Sequence, residues 1–368
     1  MSMDVYSFYN NKGGVGKTTL CCNLASYYAE THKDKKVLVI DMCPQANASQ
    51  FFLGGGRIGY DTNQKIQRTA GRKNIVGFVD WLLKGNSSFS TKPRTGYSIN
   101  VKGYNKNIPS NLYLIAGDSF LESLSLALNY AVLNPANKNS WRDYMIAIRK
   151  LCEFELEQDN ENYDSITVFI DCNPSFSIYT QMALLSSDHL VLPVMADYSS
   201  LEGIKGIFML LYGEYPSEAN KKYAEDIVTF PSQVSQYQLN LPTIFEIVFN
   251  NYTAHTGVAT AYEALRSEII EYAHKQQKLF PFLFSNKDKT NTGQTKALSQ
   301  QGDFTKTYVS NVKDFHTSGK VSASLGLPIM SLPKKSSYIM PDGDKVILPK
   351  GNYSLSVDEI RDLTSRIY

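Results

Sequence analysis

The sequence contains no apolar run that approaches the ~20 residues needed to cross a bilayer. Its first residues, Met1 to Val5, lack the basic segment and apolar stretch of a secretory signal. The five cysteines are odd in number and do not have the spacing of metal ligands. We therefore expect a cytoplasmic protein whose thiols are reduced.

The chain also has little net charge: 37 Lys and Arg and 35 Asp and Glu give a formal net charge of +2. The surface as a whole is thus not a strong attractor of nucleic acid. Between Asn286 and Lys350, however, ten lysines stand against five aspartates, a local excess of five. Such a segment is either a basic face for DNA or RNA or a solvated lysine-rich surface.

Short runs rich in Val, Ile, Leu and Phe recur along the chain, with helical stretches between them. Their near-continuous hydrophobicity is typical of parallel strands covered on both faces. The alternation predicts an α/β fold, a doubly wound and mostly parallel sheet with helices on both faces. The predicted strands are Val5–Tyr9, Val37–Asp41, Leu112–Ala116, Ile166–Asp171, His189–Val194 and Ile244–Asn250, and the predicted helices are Lys17–Glu30, Trp141–Glu153, Ser177–Ser187, Ser200–Tyr212, Val258–His274 and Val357–Ile367.

We predict a single domain over residues 1–368. Two polar stretches, 54–111 and 213–241, are expected to be insertions, and most of the first is expected to be an inserted or mobile loop. Residues 338–368 are predicted to form a hairpin that turns at Pro341–Asp344, followed by a helix.

A glycine-rich loop links the first predicted strand to the first predicted helix, and from Lys12 to Thr19 it reads Lys-Gly-Gly-Val-Gly-Lys-Thr-Thr. This is a phosphate-binding loop (P-loop) in the context that the motif requires. Its backbone N–H groups and the helix N-terminus should surround phosphate oxygens, Lys17 should reach the β- and γ-phosphates, and Thr18 should bind Mg²⁺. The predicted ligand is Mg-ATP, bound by Gly13, Gly14, Val15, Gly16, Lys17, Thr18 and Thr19.

Lys12, just before the first glycine, makes this the deviant Walker A form of the loop. With it the chain resembles the ParA/MinD/Soj family of partitioning and positioning ATPases. Val37–Asn47 is similar to the family's switch I, Tyr163–Ser175 to its Walker B region, and Leu192–Gly206 to chromosomal ParA proteins. The resemblance implies an ATP-sandwiched homodimer in which Lys12 reaches the partner's phosphates. A solvated lysine at the loop entrance is the alternative.

Two aspartates end predicted strands close to the loop in the sheet. Asp171 is expected to hold Mg²⁺ through water, although an aspartate there also commonly caps a helix. Asp41 is expected to face the metal or the attacking water, and Gln45 and Asn47 to sense the γ-phosphate from switch I. The predicted catalytic residues are Lys12, Lys17 and Asp41, and the predicted metal-binding residues are Thr18, Asp41 and Asp171.

Position 43 departs from the family pattern, whose second switch I aspartate is replaced here by Cys43. A neutral thiol is a weaker hydrogen-bond acceptor than a carboxylate and a poor Mg²⁺ ligand. This predicts slow intrinsic hydrolysis, with Asp41 orienting the water or a partner completing the site. Alternatively, Cys43 only fills space.

Base recognition is predicted at two asparagines. Asn250 follows a buried strand at a place where relatives often present an amide to adenine, and Asn311 lies in what resembles the family's late loop around the base. An asparagine at a strand end is otherwise commonly a turn residue.

The resemblance implies an ATPase whose ATP-bound dimer binds DNA without sequence preference and is released when a ParB-like or cargo partner stimulates hydrolysis. Lys306, Lys313 and Lys320 are the candidate DNA contacts, and nucleoid association would follow. MinD-like membrane binding is less favoured, because the last helix has an apolar stripe but no basic face. A metabolic enzyme on the same scaffold, such as an ATP-dependent ligase, is the other alternative.

Overall fold

The computed structural model describes residues 2–159, 161–252, 259–287, 293–349, 351 and 353–368. Over these residues the main sheet has eight strands, and a small hairpin forms a second sheet. The strands are β1 Ser2–Phe8, β2 Lys36–Met42, β3 Ile99–Asn100, β4 Leu112–Ile115, β5 Ser165–Cys172, β6 His189–Val194, β7 Thr243–Tyr252, β8 Val309–Lys313, β9 Ser337–Ile339 and β10 Lys345–Ile347.

The strand order in the main sheet is β3-β4-β2-β5-β1-β6-β7-β8. Neighbouring strands are parallel except for β3, which runs antiparallel to β4 at one edge. The predicted doubly wound, mostly parallel sheet is confirmed. The strand β8, at the opposite edge, was not predicted, because its sequence Val-Ser-Asn-Val-Lys has only two apolar residues and no regular alternation.

Helices cover both faces of the sheet. They are α1 Lys17–Thr31, α2 Asn47–Phe52, α3 Gly56–Arg68, α4 Ile75–Trp81, α5 Phe120–Val132, α6 Ser140–Met145, α7 Ala147–Glu157, α8 Ile178–Leu185, α9 Tyr198–Tyr212, α10 Glu218–Glu225, α11 Phe230–Gln236, α12 Ala259–Leu279, α13 Gln301–Tyr308, α14 His316–Leu325 and α15 Ser354–Ser365. Short 3₁₀ helices lie at Val101–Gly103, Pro281–Leu283 and Ile329–Lys334, and α4 continues into a π-helical turn at Leu82–Asn86.

The core consists of two apolar clusters, one on each face of the sheet, because successive strand side chains point to opposite faces. In β1, Val5 packs with α4, α7 and α8, while the next residue, Tyr6, packs with α1 and α15. The apolar stripe of α15 is buried in the second cluster, as its sequence predicted.

The stretch 54–111 is not a loop, contrary to our expectation. It contains α3, α4 and the edge strand β3, and Ile75 and Phe78 of α4 are buried in the core. The predicted helix Trp141–Glu153 is instead two helices, α6 and α7, that meet at Ile146. The predicted hairpin is confirmed by antiparallel β9 and β10, and Val258, the first residue of another predicted helix, lies outside the described residues.

Candidate functional site

The P-loop runs from the carboxyl end of β1 to the first turn of α1. Gly14 and Gly16 have φ of 75° and 90°, a backbone conformation that side chains disfavour. A Cβ on Gly16 would also lie 1.8 Å from Nδ2 of Asn250. Gly16 begins α1 without a side-chain cap from the described residues, so the first N–H groups of the helix point into the loop, as an anion site requires.

Lys17 folds back over its own loop. Its Nζ donates to the carbonyls of Asn10, at 3.0 Å, and Lys12, at 2.9 Å. Burial lowers the pKa of Lys17, and the nearby Asp171 partly offsets that effect. Two neutral carbonyls thus hold the ammonium group at the centre of the loop, where a phosphate would supply the missing negative charge.

Asp171, the penultimate residue of β5, lies beside the first turn of α1. Thr18 donates its hydroxyl to Oδ2 of Asp171 at 2.8 Å, while the buried Oδ1 has no hydrogen-bond partner among the described residues. Burial raises the pKa of Asp171, and the neighbouring Asp41 carboxylate raises it further. A hydroxyl and an unsatisfied carboxylate oxygen are hard ligands that fit Mg²⁺, so Thr18 and Asp171 suit the cation that the sequence predicted.

Asp41 lies next to Asp171 in the register of the parallel strands β2 and β5. Its Oδ2 accepts from the backbone N of Ser49 at 2.8 Å and from its hydroxyl at 2.7 Å, and Oδ1 accepts from the N of Cys43 at 3.1 Å. Burial raises the pKa of Asp41, and the Ser49 hydrogen bonds oppose this. Asp41 therefore holds residues 43–49, the end of switch I and the start of α2, in place, and its roles toward metal and water stay predictions.

Cys43 connects switch I to the loop after β5. Its buried Sγ lies 3.8 Å from Oδ1 of Asn173, and burial raises the pKa of the thiol to about 12. The amide of Asn173 in turn donates to the hydroxyl of Tyr179 at 2.8 Å, which donates to Oε2 of Glu122 at 2.7 Å. The thiol is thus neutral at ordinary pH and serves as a weak donor.

A cavity of about 630 Å³ opens beside the P-loop. Asn47 lines it from switch I, and its amide donates to Oε1 of Gln45 at 3.3 Å. Another wall is formed by α14, including Gly319 and Lys320. The cavity has room for a nucleotide next to the loop, and both predicted switch I amides lie at or near its wall.

The two asparagines predicted to contact adenine lie in different surroundings. Asn250, near the end of β7, also lines the cavity, and its Nδ2 donates to the carbonyl of Val15 at 3.0 Å. Asn311 lies within the edge strand β8 rather than in a loop, and its Oδ1 accepts from Arg266 at 3.4 Å. Asn250 thus lies against the P-loop here, and both adenine contacts stay predictions.

Lys12 does not point into the P-loop. Its ammonium group forms an ion pair with Asp197, the N-cap residue of α9, whose other oxygen accepts from the N of Ser200 at 2.8 Å. Burial alone would raise the pKa of Asp197, but hydrogen bonds from Lys12 and Ser200 outweigh it and lower the pKa. In this single chain Lys12 is thus held away from its own phosphate site.

The three lysines predicted to contact DNA lie on three successive elements. Lys306 lies in α13, Lys313 is the last residue of β8, and Lys320, in α14, lines the cavity beside the P-loop. Two further lysines of the same basic segment, Lys289 and Lys350, lie outside the described residues. The contact of Lys306, Lys313 and Lys320 with DNA stays a prediction.

Sequence reasoning missed the residues that position switch I and Lys12. Ser49, Asn173 and Asp197 carry no motif of their own, and each acts through a partner distant in the chain or on another element. Asp197 alone had a local signal, since an aspartate three residues before Ser200 at the start of a helical pattern indicates an N-cap.

A family model described as an AAA domain matches residues 3–222, more than half of the chain. The chain is 26% identical over 298 residues to the chromosome-partitioning ATPase Soj of Treponema pallidum, which covers 72% of this chain and 95% of that protein. The chain belongs to the ParA/Soj-like P-loop ATPases. An uncharacterized protein of Pseudomonas putida is 29% identical over 203 residues, 55% of this chain, and the match spans only 60% of that relative's length.

Solved structures share the fold of this ParA/Soj-like chain. A Cyanothece McdA variant in complex with ATP superposes with a TM-score of 0.54 over 99% of this chain and 96% of that one, at 12% identity. At that identity the likeness concerns the fold alone. Among the described residues, no helix combines the length and apolar character that a bilayer crossing requires.

Proposed function

We propose that this chain is a ParA-like ATPase that works as an ATP-dependent dimerisation switch. The observation that carries the proposal is the position of Lys12. Whereas Lys17 is buried in the P-loop, Lys12 lies at its rim, with 24% of its side chain exposed and its charge held by Asp197. In a dimer whose two P-loops face each other, Lys12 of one copy would lie at the entrance of the other copy's phosphate site.

Thr18 and Asp171 would hold Mg²⁺, which would neutralise charge on the nucleotide phosphates when bound. Lys17 would bind the β- and γ-phosphates, and Asp41 would hold switch I so that Gln45 and Asn47 meet the terminal phosphate. Because Cys43 is buried and neutral, it would neither abstract a proton nor bind the metal. Hydrolysis would then be slow in the isolated protein.

The ATP-bound dimer would bind DNA without sequence preference, and a ParB-like or cargo protein would stimulate hydrolysis and release it. Support comes from the partitioning relatives, such as the Soj protein of Treponema pallidum, and from McdA, whose variant is solved with ATP. The protein would act in the cytoplasm and associate with the nucleoid while ATP is bound.

Sedimentation velocity with ADP, ATP and a non-hydrolysable ATP analogue tests the switch. We expect a monomer with ADP and a dimer with the analogue, and a Lys12→Ala variant that binds nucleotide but stays monomeric. Lys205→Ala, which removes an exposed lysine from α9, is the matched control and should dimerise normally. A wild-type chain that remains monomeric with the analogue would sink the proposal.

A further inference from the structure

A second large cavity, about 670 Å³, lies at the end of the molecule opposite the P-loop. Its walls include Lys33, Asn111 and Tyr163, which come just before β2, β4 and β5, whereas the P-loop follows the carboxyl end of β1. The remaining walls are the loop before β4 and the chain that follows α14. Since parallel strands place their starts at one edge and their ends at the other, the cavity is separate from the nucleotide site.

This cavity is basic. It is lined by four exposed lysines and one carboxylate, a local excess of three positive charges in a chain whose net charge is +2. Within the described part of the chain, none of the four lysines forms an ion pair. The four are Lys33, Lys102, Lys106 and Lys335, and the carboxylate is that of Glu30. The ammonium group of Lys102 donates to the carbonyl of Lys106 at 2.8 Å, so it is held at the groove without a counter-charge. Positive side chains of this kind around an open groove suit a ligand with repeated negative charges.

The groove is joined to the nucleotide site by Asn105, which is buried between Lys102 and Lys106. Its Nδ2 donates to the carbonyl of Gly326, just after α14, at 2.7 Å and to that of Phe51, at the end of α2, at 3.4 Å. Phe51 and much of α14 line the nucleotide cavity. Asn105 therefore contacts α2 and the C-cap of α14, two of the elements that form the walls of that cavity.

The packing at this junction is tight enough to transmit a shift. A Cβ on Gly326 would lie 2.5 Å from the carbonyl oxygen of Phe51, and one on Gly55 would lie 2.0 Å from the N of Gly326. Because no side chain separates these two backbone segments, a shift of one would move the other. Movement of α2 or α14 would thus move the loop that bears Lys102 and Lys106.

We propose that the lysine groove binds the phosphodiester backbone of DNA and that Asn105 couples its affinity to the nucleotide site. This inference rests on the proposed DNA-binding function and assigns its surface. DNA is favoured over a small anion because the lysines come from three separate chain segments around an open groove, which suits contacts to successive phosphates.

The test measures binding of a fluorescent 40-base-pair duplex of arbitrary sequence by anisotropy, between 50 and 300 mM KCl, with the ATP analogue and with ADP. The groove variant is Lys33→Gln/Lys102→Gln/Lys106→Gln. Its matched control, Lys221→Gln/Lys222→Gln/Lys278→Gln, removes the same charge from exposed lysines of α10 and α12. We expect the groove variant to bind at least tenfold more weakly and its salt slope to fall by roughly 2 to 3, since each lost phosphate contact reduces the slope by about 0.9.

The outcomes separate the inference from the function on which it rests. If wild type binds and the groove variant binds equally well, the groove assignment is overturned and the DNA function stands. Absence of binding by wild type in every nucleotide state overturns both. A further arm adds free tripolyphosphate at the same phosphate concentration as the DNA. If it fully displaces DNA from wild type, the groove is a small-anion site, which also overturns the assignment. Dimerisation with the ATP analogue should be normal in both triple variants.

Coupling is tested with Asn105→Asp, which keeps the acceptor that binds the N of Asn107 at 3.0 Å but loses the amide donor. We expect DNA affinity that no longer differs between ADP and the ATP analogue, in a protein that still dimerises. A difference as large as that of wild type would contradict the coupling. Thermal melting verifies that the variant is folded.

Discussion

At the scale of single residues, the phosphate site brings three acidic or thiol groups close together beneath the P-loop. Asp41 and Asp171 are buried and adjacent in register, and Cys43 lies two residues beyond Asp41. Burial raises the pKa of all three groups. The thiol therefore adds no charge where two carboxylates already repel each other.

This makes Cys43→Asp informative. The new carboxylate would lie where a water-activating base is needed, so we expect ATP turnover to rise on the order of tenfold or more. Without Mg²⁺ the third carboxylate should lower the melting temperature, because the added buried charge lacks a counter-ion.

Cys43→Ser is the control, since a serine keeps a small neutral donor, and its turnover should match that of wild type. Steady-state phosphate release and melting curves with and without Mg²⁺ measure both effects. A Cys43→Asp variant with unchanged turnover would indicate that the residue only fills space.

At the scale of elements, Asp197, the N-cap residue of α9, holds Lys12 in a contact that the proposed dimer would have to break. The ion pair of Lys12 with Asp197 is partly exposed, with 24% and 38% of the side chains accessible. Such pairs contribute roughly 0.2–1 kcal/mol. Moving Lys12 to another copy requires that this contact be broken first.

Asp197→Asn should therefore ease dimerisation. Asparagine still caps α9 but no longer attracts Lys12 electrostatically, so we expect half-maximal dimerisation at an ATP-analogue concentration about two- to fivefold lower. Glu202→Gln, which alters an exposed pair on the same helix, should leave that concentration unchanged. Light scattering during titration measures both, and weaker dimerisation of Asp197→Asn would contradict the idea.

Elements also show how far sequence alone reaches. Strands β2 and β5 were predictable because both faces are buried, which makes their sequences continuously apolar. By contrast, β8 and α3 were missed because little of their surface is apolar: among the residues of α3, only Gly59, Asn63 and Ile66 are buried. A single sequence thus predicts elements whose apolar residues form a clear pattern and misses elements with few apolar residues.

The same limit applies to the site. The P-loop was predictable because its chemistry is contained in consecutive residues. The contacts of Lys12 with Asp197 and of Cys43 with Asn173 join positions 185 and 130 residues apart. They depend on the strand order and so could not be predicted without the fold.

At the scale of the whole molecule, Glu246 joins distant parts of the chain. It is fully buried in β7, forms an ion pair with Lys287, and accepts from the hydroxyl of Ser310 in β8 at 2.6 Å and from Arg366, after α15, at 2.9 Å. One carboxylate thus holds the C-terminal helix and the sheet edge together.

Glu246→Ala should lower the free energy of unfolding by roughly 3–5 kcal/mol, because it leaves the largely buried Lys287 without its counter-charge and Arg366 with the more exposed Asp362 as its ion-pair partner. Glu246→Gln keeps hydrogen bonding and should cost less. Urea denaturation measures both, with Glu202→Ala as an exposed control that should change stability by no more than about 0.5 kcal/mol. A Glu246→Ala variant as stable as the control would contradict the account.

The edges of the sheet decide how copies can meet. The strand β3 pairs only Ile99 and Asn100 with its neighbour and runs against the direction of the sheet. At the other edge, the backbone N–H of Lys313 in β8 donates to a carboxylate oxygen of Glu359 in α15 at 2.6 Å. A second chain would thus find a two-residue template on one side and a blocked donor on the other, which disfavours fibre-like growth by strand addition and is compatible with the proposed dimer that closes at the P-loop end.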